Sequence, residues 1–153
     1  MSEFRSRGVR SLVELHEREL PEFLATWRRF AASGKPMPEA HGDEDYENRE
    51  RLVAHVQRSA RSYLLWIWEM LERPIEDLPY VREPDEIVPR LDAYMAETLD
   101  GWRRHLAPLA PEQLAPKQYL SRWGEPHTIE QMLEHAVVHP MRHRIQLERI
   151  LAD

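Results

Sequence analysis

The sequence predicts an all-α protein, a four-helix bundle formed by a single domain over residues 1–153. Four long segments carry apolar residues three and four positions apart, and none alternates apolar with polar residues as a half-buried strand does. Stretches rich in proline, glycine and charge separate these segments. Amphipathic helices of this kind bury their apolar faces against one another, so a bundle is the expected architecture.

The first segment predicts a helix over roughly residues 9–31. Pro21 is expected to kink this helix or to start a second piece. The turn-rich stretch SGKPMPEAHGDED follows and predicts a linker without regular structure. The apolar stripe of the helix, which also contains a histidine, consists of Val9, Leu12, His16, Leu20, Phe23, Trp27 and Phe30.

The second helix is predicted over roughly residues 46–71, and the proline-rich, charged stretch ERPIEDLPYVREPDE ends it. The third is predicted over roughly residues 86–106, with Pro89 in its first turn, where a missing N–H does little harm. The run YLLWIW lies near the end of the second helix, and Trp66 and Trp68 within it suit the core or a dimer interface, or else a substrate pocket.

A long loop, APLAPEQLAPKQYLSRWGEP, precedes the last helix. Loops of about 20 residues without secondary structure are uncommon and are often functional. The fourth helix is predicted to begin at Thr128, which forms a capping box with Gln131, and to end near Leu151.

Composition excludes several classes of protein. The chain has no cysteine, which removes disulfides and thiolate metal sites and fits a reducing cytoplasm. Its net charge of −6 argues against a nucleic-acid binder, which needs a basic face. No apolar stretch approaches about 18 residues, so we expect no signal peptide and no membrane span.

The last helix carries three histidines spaced four apart, His135, His139 and His143. With about 100° of rotation per residue, the apolar residues of this helix place His143 nearly straight into the bundle. His139 lies about 40° to one side and His135 about 80°, at the rim. Pro140 either kinks the helix locally or opens it at the histidine pair, and the sequence leaves both interpretations open.

An inward pair of histidines at positions i and i+4 can place two ring nitrogens on one metal ion. The pair here is His139 and His143, and His135 is better suited to a supporting or rim position. A catalytic metal site needs a third protein ligand and an open position. The candidates are His16, His55, His105, His41 and His127. His16 lies in a core stripe and His55 on a flank that could face a cleft, and spacing leaves these two level.

The chain resembles the DinB-like family of metal-dependent enzymes over nearly its whole length. The resemblance rests on LVAHVQRSARSYLLW in the second helix, on RWGEPHTIEQMLEH before the last, and above all on HAVVHPMRHRIQLERIL. It implies a bundle with an unusual helix order, often dimeric. It also implies a divalent metal (zinc, nickel or iron) held by His55, His139 and His143. The family often has a small residue where Ile145 stands here, and Ile145 points outward.

Two functional hypotheses follow. The first is a cytoplasmic, homodimeric metalloenzyme that acts on small molecules, as a hydrolase or as an S-transferase using a low-molecular-weight thiol. Candidate groups around the metal are Ser59, Glu134, His135 and Gln146. The alternative is a non-catalytic bundle that works through binding or in a stress response, with a structural metal or none. We expect neither nucleic-acid nor membrane partners.

Overall fold

The computed structural model describes residues 3–114 and 116–153, and over these residues the protein is a bundle of α-helices. The predicted all-α fold is therefore confirmed. The helices are α1 (Arg7–Ser33), α2 (Arg49–Met70), the short α3 (Pro84–Ile87), α4 (Leu91–Leu106) and α5 (Ile129–Ala152). Single turns of 3-10 helix cover Glu44–Tyr46, Val88–Arg90 and Pro111–Leu114.

The long helices do not follow their chain order around the bundle. Helices α4 and α5 each pack against both α1 and α2, so the order around the bundle is α1, α5, α2, α4. Helices α1 and α2 therefore face each other across the bundle. This arrangement makes α2 and α5 neighbours, although α3 and α4 lie between them in the chain.

The interior consists of two apolar clusters. One joins the start of α1, the end of α2, the end of α4 and the first half of α5, and the other joins the opposite ends of the same helices. Between them the four long helices, α1, α2, α4 and α5, each contribute buried polar side chains. This polar layer contains His16, Arg61, Thr98, His139 and His143. The two inward histidines of α5 thus lie at mid-height in the bundle.

The predicted interruption of the first helix and the predicted start of the second can both be compared with the structure. Helix α1 passes through Pro21 as one continuous element, so no second piece starts there. Helix α2 begins at Arg49 rather than near residue 46, because the Asn48 side chain accepts a hydrogen bond of 2.8 Å from the Arg51 amide and caps the helix.

The third predicted helix, residues 86–106, is two helices with a 3-10 turn between them. Pro89 lies in that turn and has no N–H to donate to the carbonyl group four residues earlier. The backbone of Arg90 then leaves the helical region, with φ −135° and ψ 34°. Pro89 therefore separates α3 from α4, and the expectation that it does little harm was wrong.

The long loop predicted before α5 contains a 3-10 turn and two short strands. Strands β1 (Tyr119–Leu120) and β2 (Pro126–His127) pair antiparallel, with Tyr119 opposite His127. Gly124 has φ 90° and its amide donates a 3.1 Å hydrogen bond to the Ser121 carbonyl, which closes the turn. Strands of two residues are too short for alternation to be visible in the sequence.

No helix among the described residues combines the length and the apolar composition that crossing a membrane requires.

Candidate metal centre

Helix α5 turns two of its histidines into the bundle. The side chains of His139 and His143 are buried, with 5% and 7% exposure, because this face of α5 packs between α1 and α2. The inward direction predicted for the pair is therefore confirmed. Helix α5 remains continuous through Pro140, which is itself buried.

Helix α2 brings His55 to the same place. The Nε2 atom of His55 lies 3.0 Å from the Nε2 atom of His139. One ring nitrogen from each of His55, His139 and His143 lies within 4.8 Å of the other two. The ring planes of His55 and His139 stand at 83° and 74° to that of His143. Three imidazoles from two helices therefore converge on one point.

The three histidines could hold a metal ion. Metal–nitrogen bonds of about 2.0–2.1 Å separate neighbouring ligand nitrogens by about 3.0–3.4 Å. The His55–His139 separation of 3.0 Å falls in that range. The His143 nitrogen lies within 4.8 Å of the other two, so a small movement of its ring would bring it to the same distance. Imidazole nitrogens suit zinc, nickel and iron.

Asp45 fixes the orientation of His55. Its Oδ2 atom lies 2.9 Å from Nδ1 of His55, and its Oδ1 atom accepts a 2.7 Å hydrogen bond from Arg58. A carboxylate at Nδ1 keeps the proton on that nitrogen and leaves the Nε2 lone pair for a metal. Asp45 was missed in the sequence. Its signal was the acidic run just before α2, ten residues from His55.

His143 has weaker support. Its Nδ1 atom lies 3.4 Å from Oε1 of Gln146 and 3.4 Å from the hydroxyl group of Tyr46. Gln146 was predicted as a supporting group, whereas Tyr46 was predicted only as the start of a helix. Among the described residues, Ser59 and Glu134 make no hydrogen bond to the three histidines, and Nδ1 of His139 is buried without a partner.

Burial keeps the three imidazoles neutral in the metal-free protein. It lowers the pKa of His143 to about 4, and it lowers the pKa of His139 well below its ordinary value, with repulsion from His55 and His143 adding to the effect. Burial also lowers the pKa of His55 and outweighs the attraction of Asp45. Neutral rings at pH 7 have lone pairs available for a cation.

Two other histidines singled out from the sequence, His16 and His135, are not members of the group of three. His16 is fully buried and stacks on Trp102 with 3.7 Å between ring centroids. Neither of its ring nitrogens has a hydrogen-bond partner within the described residues, and burial lowers its pKa to about 3. His135 stacks on Trp123, with ring centroids 4.9 Å apart. The tie that spacing left between His16 and His55 is thus decided by position, since only His55 joins the α5 pair.

A cleft with a volume of about 570 Å³ opens beside the three histidines, a volume that suits a small organic molecule. Trp66 and Trp68 do not line it, because both are buried in the core. Besides its histidines, its aromatic lining comes instead from Tyr46 before α2, from Tyr63 of α2 and from Trp123 in the β1–β2 turn. The residues around the cleft are Asp43, Tyr46, His55, Tyr63, Trp123, His135, His139, Arg142, His143, Gln146 and Arg149.

Comparison of the chain with models of known protein families, with curated proteins and with solved structures gave no match. The chemistry of the site therefore follows from its own residues. These are three neutral imidazoles that could hold a divalent ion, a carboxylate that orients one of them, and an open cleft beside them.

Proposed function

We propose that the protein is a metal-dependent enzyme of the DinB-like kind, with a divalent zinc, nickel or iron ion on His55, His139 and His143. Its substrate is a small molecule that enters the cleft. The reaction is S-transfer with a low-molecular-weight thiol, or hydrolysis.

The observation that carries the proposal is the position of the three nitrogens beside an open cleft. A structural zinc site is closed by four protein ligands, whereas a catalytic site uses three and leaves a position for water or substrate. Within the described residues the group has three members, and the cleft meets it. The aspartate behind His55 is also typical of sites that must hold a ligand ring in one orientation.

A divalent ion at this site would supply Lewis acidity, which lowers the pKa of a bound thiol or water. The protein supports that chemistry through its charges. Three neutral imidazoles leave the positive charge of the ion undiminished, which favours a thiolate or another anion. Asp45 holds His55, and the Tyr46 hydroxyl, whose pKa burial raises, stays protonated near His143.

An external thiol as the second reactant is consistent with a chain that has no cysteine of its own.

We also propose that the protein acts as a homodimer in the cytoplasm. Light scattering of the purified protein over a range of concentrations measures the mass directly, and a value near twice 18.3 kDa is expected.

Metal content is the first test of the proposal. Purified tag-free protein is expected to hold close to one zinc, nickel or iron ion per chain, measured by inductively coupled plasma mass spectrometry. The variants His143→Ala and His55→Ala should each lose most of this metal, because two nitrogens bind far more weakly than three. The control His105→Ala removes a histidine that pairs with Asp77 at the end of α4, and should retain it.

Two other outcomes would change the conclusion. Protein that stays metal-free after incubation with each divalent ion would contradict the metalloenzyme and favour a bundle that acts through binding. Metal that persists in both alanine variants would place the ion elsewhere. Circular dichroism of each variant confirms that it has folded, so a loss of metal is not mistaken for a loss of structure.

A further inference from the structure

One side of the cleft is aromatic. The Trp123 and His135 rings are stacked, with planes 28° apart, and the Tyr63 ring meets His135 edge-on at 5.5 Å between centroids. Trp123 is 48% exposed, an unusual position for the largest apolar side chain. Tyr63 also meets His139 edge-on at 5.8 Å, so this aromatic wall continues to the three histidines.

The other side of the cleft is cationic. Arg142 and Arg149 both line it from α5. Positions 135, 139, 142, 146 and 149 are three or four residues apart, so they share one face of the helix. Within the described part of the chain, neither arginine has a carboxylate within 4 Å. Arg144, two residues from Arg142, differs because it pairs with Glu19 and Glu148 and is committed to the fold.

The acidic groups of the cleft compensate only part of this positive charge, since two arginines and one aspartate line it. Asp45 is already engaged by His55 and Arg58. Asp43 also lines the cleft, and its side chain accepts a hydrogen bond of 2.9 Å from the amide of Asp45. Burial raises the pKa of Tyr63 to about 12, and the positive charge of Arg142 opposes that rise. A net positive cleft in a chain of net charge −6 is a local feature.

We propose that the cleft binds an amphipathic organic monoanion, with its carboxylate on Arg142 and its apolar or aromatic body on Trp123, His135 and Tyr63. The guanidinium group matches the two oxygens of a carboxylate, and the aromatic wall offers an apolar surface. Asp43 on the same cleft repels a dianion more strongly than a monoanion. The proposal names the substrate class of the metal site and in that sense rests on the proposed function, although binding itself requires only these cleft residues.

The test compares two probes of nearly the same shape, 4-fluorophenylacetate and its neutral amide, 4-fluorophenylacetamide. Fluorine NMR titrations measure the Kd of each probe on metal-free and on zinc-loaded protein. The acid is expected to bind at least about tenfold more tightly than the amide, because a charge-assisted hydrogen bond is lost with the carboxylate. Equal affinities for acid and amide would overturn the proposal.

Four variants locate the two halves of the site. Arg142→Gln should raise the Kd of the acid about tenfold or more and change the Kd of the amide by less than about twofold. Arg142→Lys should recover part of the loss, because it restores the charge without the planar fork. Arg18→Gln removes an arginine that is 74% exposed on α1 and should leave both probes unchanged. Trp123→Ala should weaken acid and amide alike.

The two proposals fail separately in this experiment. An Arg142-dependent preference for the acid in protein that takes up no zinc would support the anion site and contradict the metalloenzyme. Zinc-loaded protein whose affinity for the acid is the same with arginine or glutamine at position 142 would contradict the anion site alone. Melting temperatures of all variants, measured alongside, show that each is folded.

Discussion

At the scale of single residues, the candidate site depends on where each proton lies. The Asp45 carboxylate at Nδ1 of His55 directs the other ring nitrogen toward His139. Gln146 and Tyr46 contact Nδ1 of His143 at the longer distance of 3.4 Å. The strongest hydrogen bond to the three rings thus comes from a residue outside the helices that carry them. We expect Asp45 to influence metal affinity more than any other residue that is not itself a ligand.

Replacing Asp45 tests this expectation. Asp45→Asn keeps the size of the side chain but removes the charge that holds the His55 proton, so metal affinity should fall about 10- to 100-fold. Competition with a chromophoric zinc chelator measures the change. Asp77→Asn is the matched control, since Asp77 also contacts a histidine, His105, but far from the site. Equal zinc affinities for wild type and Asp45→Asn would show that Asp45 stabilises the 3-10 turn before α2 and does not affect metal binding.

At the scale of elements, α5 contributes most of the candidate site. It supplies two of the three histidines and also both arginines of the cleft, neither of which has a carboxylate within 4 Å among the described residues. Its start is fixed by a reciprocal cap, in which Thr128 Oγ1 accepts from the Gln131 amide at 3.1 Å. Gln131 Oε1 accepts in turn from the Thr128 amide at 2.9 Å. The cap lies about three helical turns before His139, so it acts on stability rather than on the ligands.

Removing the cap should destabilise the fold without changing the site. Thr128→Ala is expected to lower the free energy of unfolding by about 1 kcal/mol, because the Gln131 amide at the helix start loses its side-chain acceptor. Thr128→Ser keeps the hydroxyl group and should lose much less. Urea denaturation measures both values. Zinc affinity of the folded Thr128→Ala protein should equal that of the wild type, and a large loss would mean that the cap also positions the histidines.

At the scale of the whole molecule, the bundle has a buried polar layer between two apolar clusters. Some of the polar groups in this layer have hydrogen-bond partners. Arg61, fully buried, donates to Thr98 and to the carbonyl groups of Pro79 and Tyr94. His16, buried in the same layer, has no hydrogen-bond partner among the described residues. A buried neutral histidine couples the stability of the whole fold to pH.

The direction of that coupling follows from the His16 pKa, lowered from 6.5 to about 3 by burial. Between these values the unfolded chain binds a proton at His16 and the folded protein does not, so stability falls as pH falls. One such proton contributes about 1.4 kcal/mol per pH unit. Between pH 6 and 4, the free energy of unfolding of His16→Leu should therefore fall less steeply with pH than that of the wild type, by about 1.4 kcal/mol per pH unit.

Urea denaturation at several pH values, with a chelator present throughout, measures this slope. The histidines of the metal site add to it in wild type and variant alike, so the difference between the two proteins isolates His16. His41→Gln, a change at an exposed position in the linker, is the control. Identical slopes for wild type and His16→Leu would contradict the assignment, whatever happens to the stability at pH 7.

The sequence by itself determined the helices, their apolar faces and the inward direction of two histidines. These depend on spacing along one element, and the α-helix converts spacing into direction. It also indicated the capping box at Thr128, because both partners lie within four residues. The start of α2, the break at Pro89 and the short strands depend on local backbone conformation that residue type constrains only weakly.

Only the tertiary structure decided which residues meet the histidine pair. Spacing left His16 and His55 level, and the resemblance to the DinB-like family favoured His55. The placement of α2 beside α5 brings His55 to the pair, and Asp45 reaches it from the linker before α2. Such contacts join residues 84 positions apart for His55 and His139, and 97 positions apart for Tyr46 and His143. They follow from how whole helices pack, which no local pattern encodes.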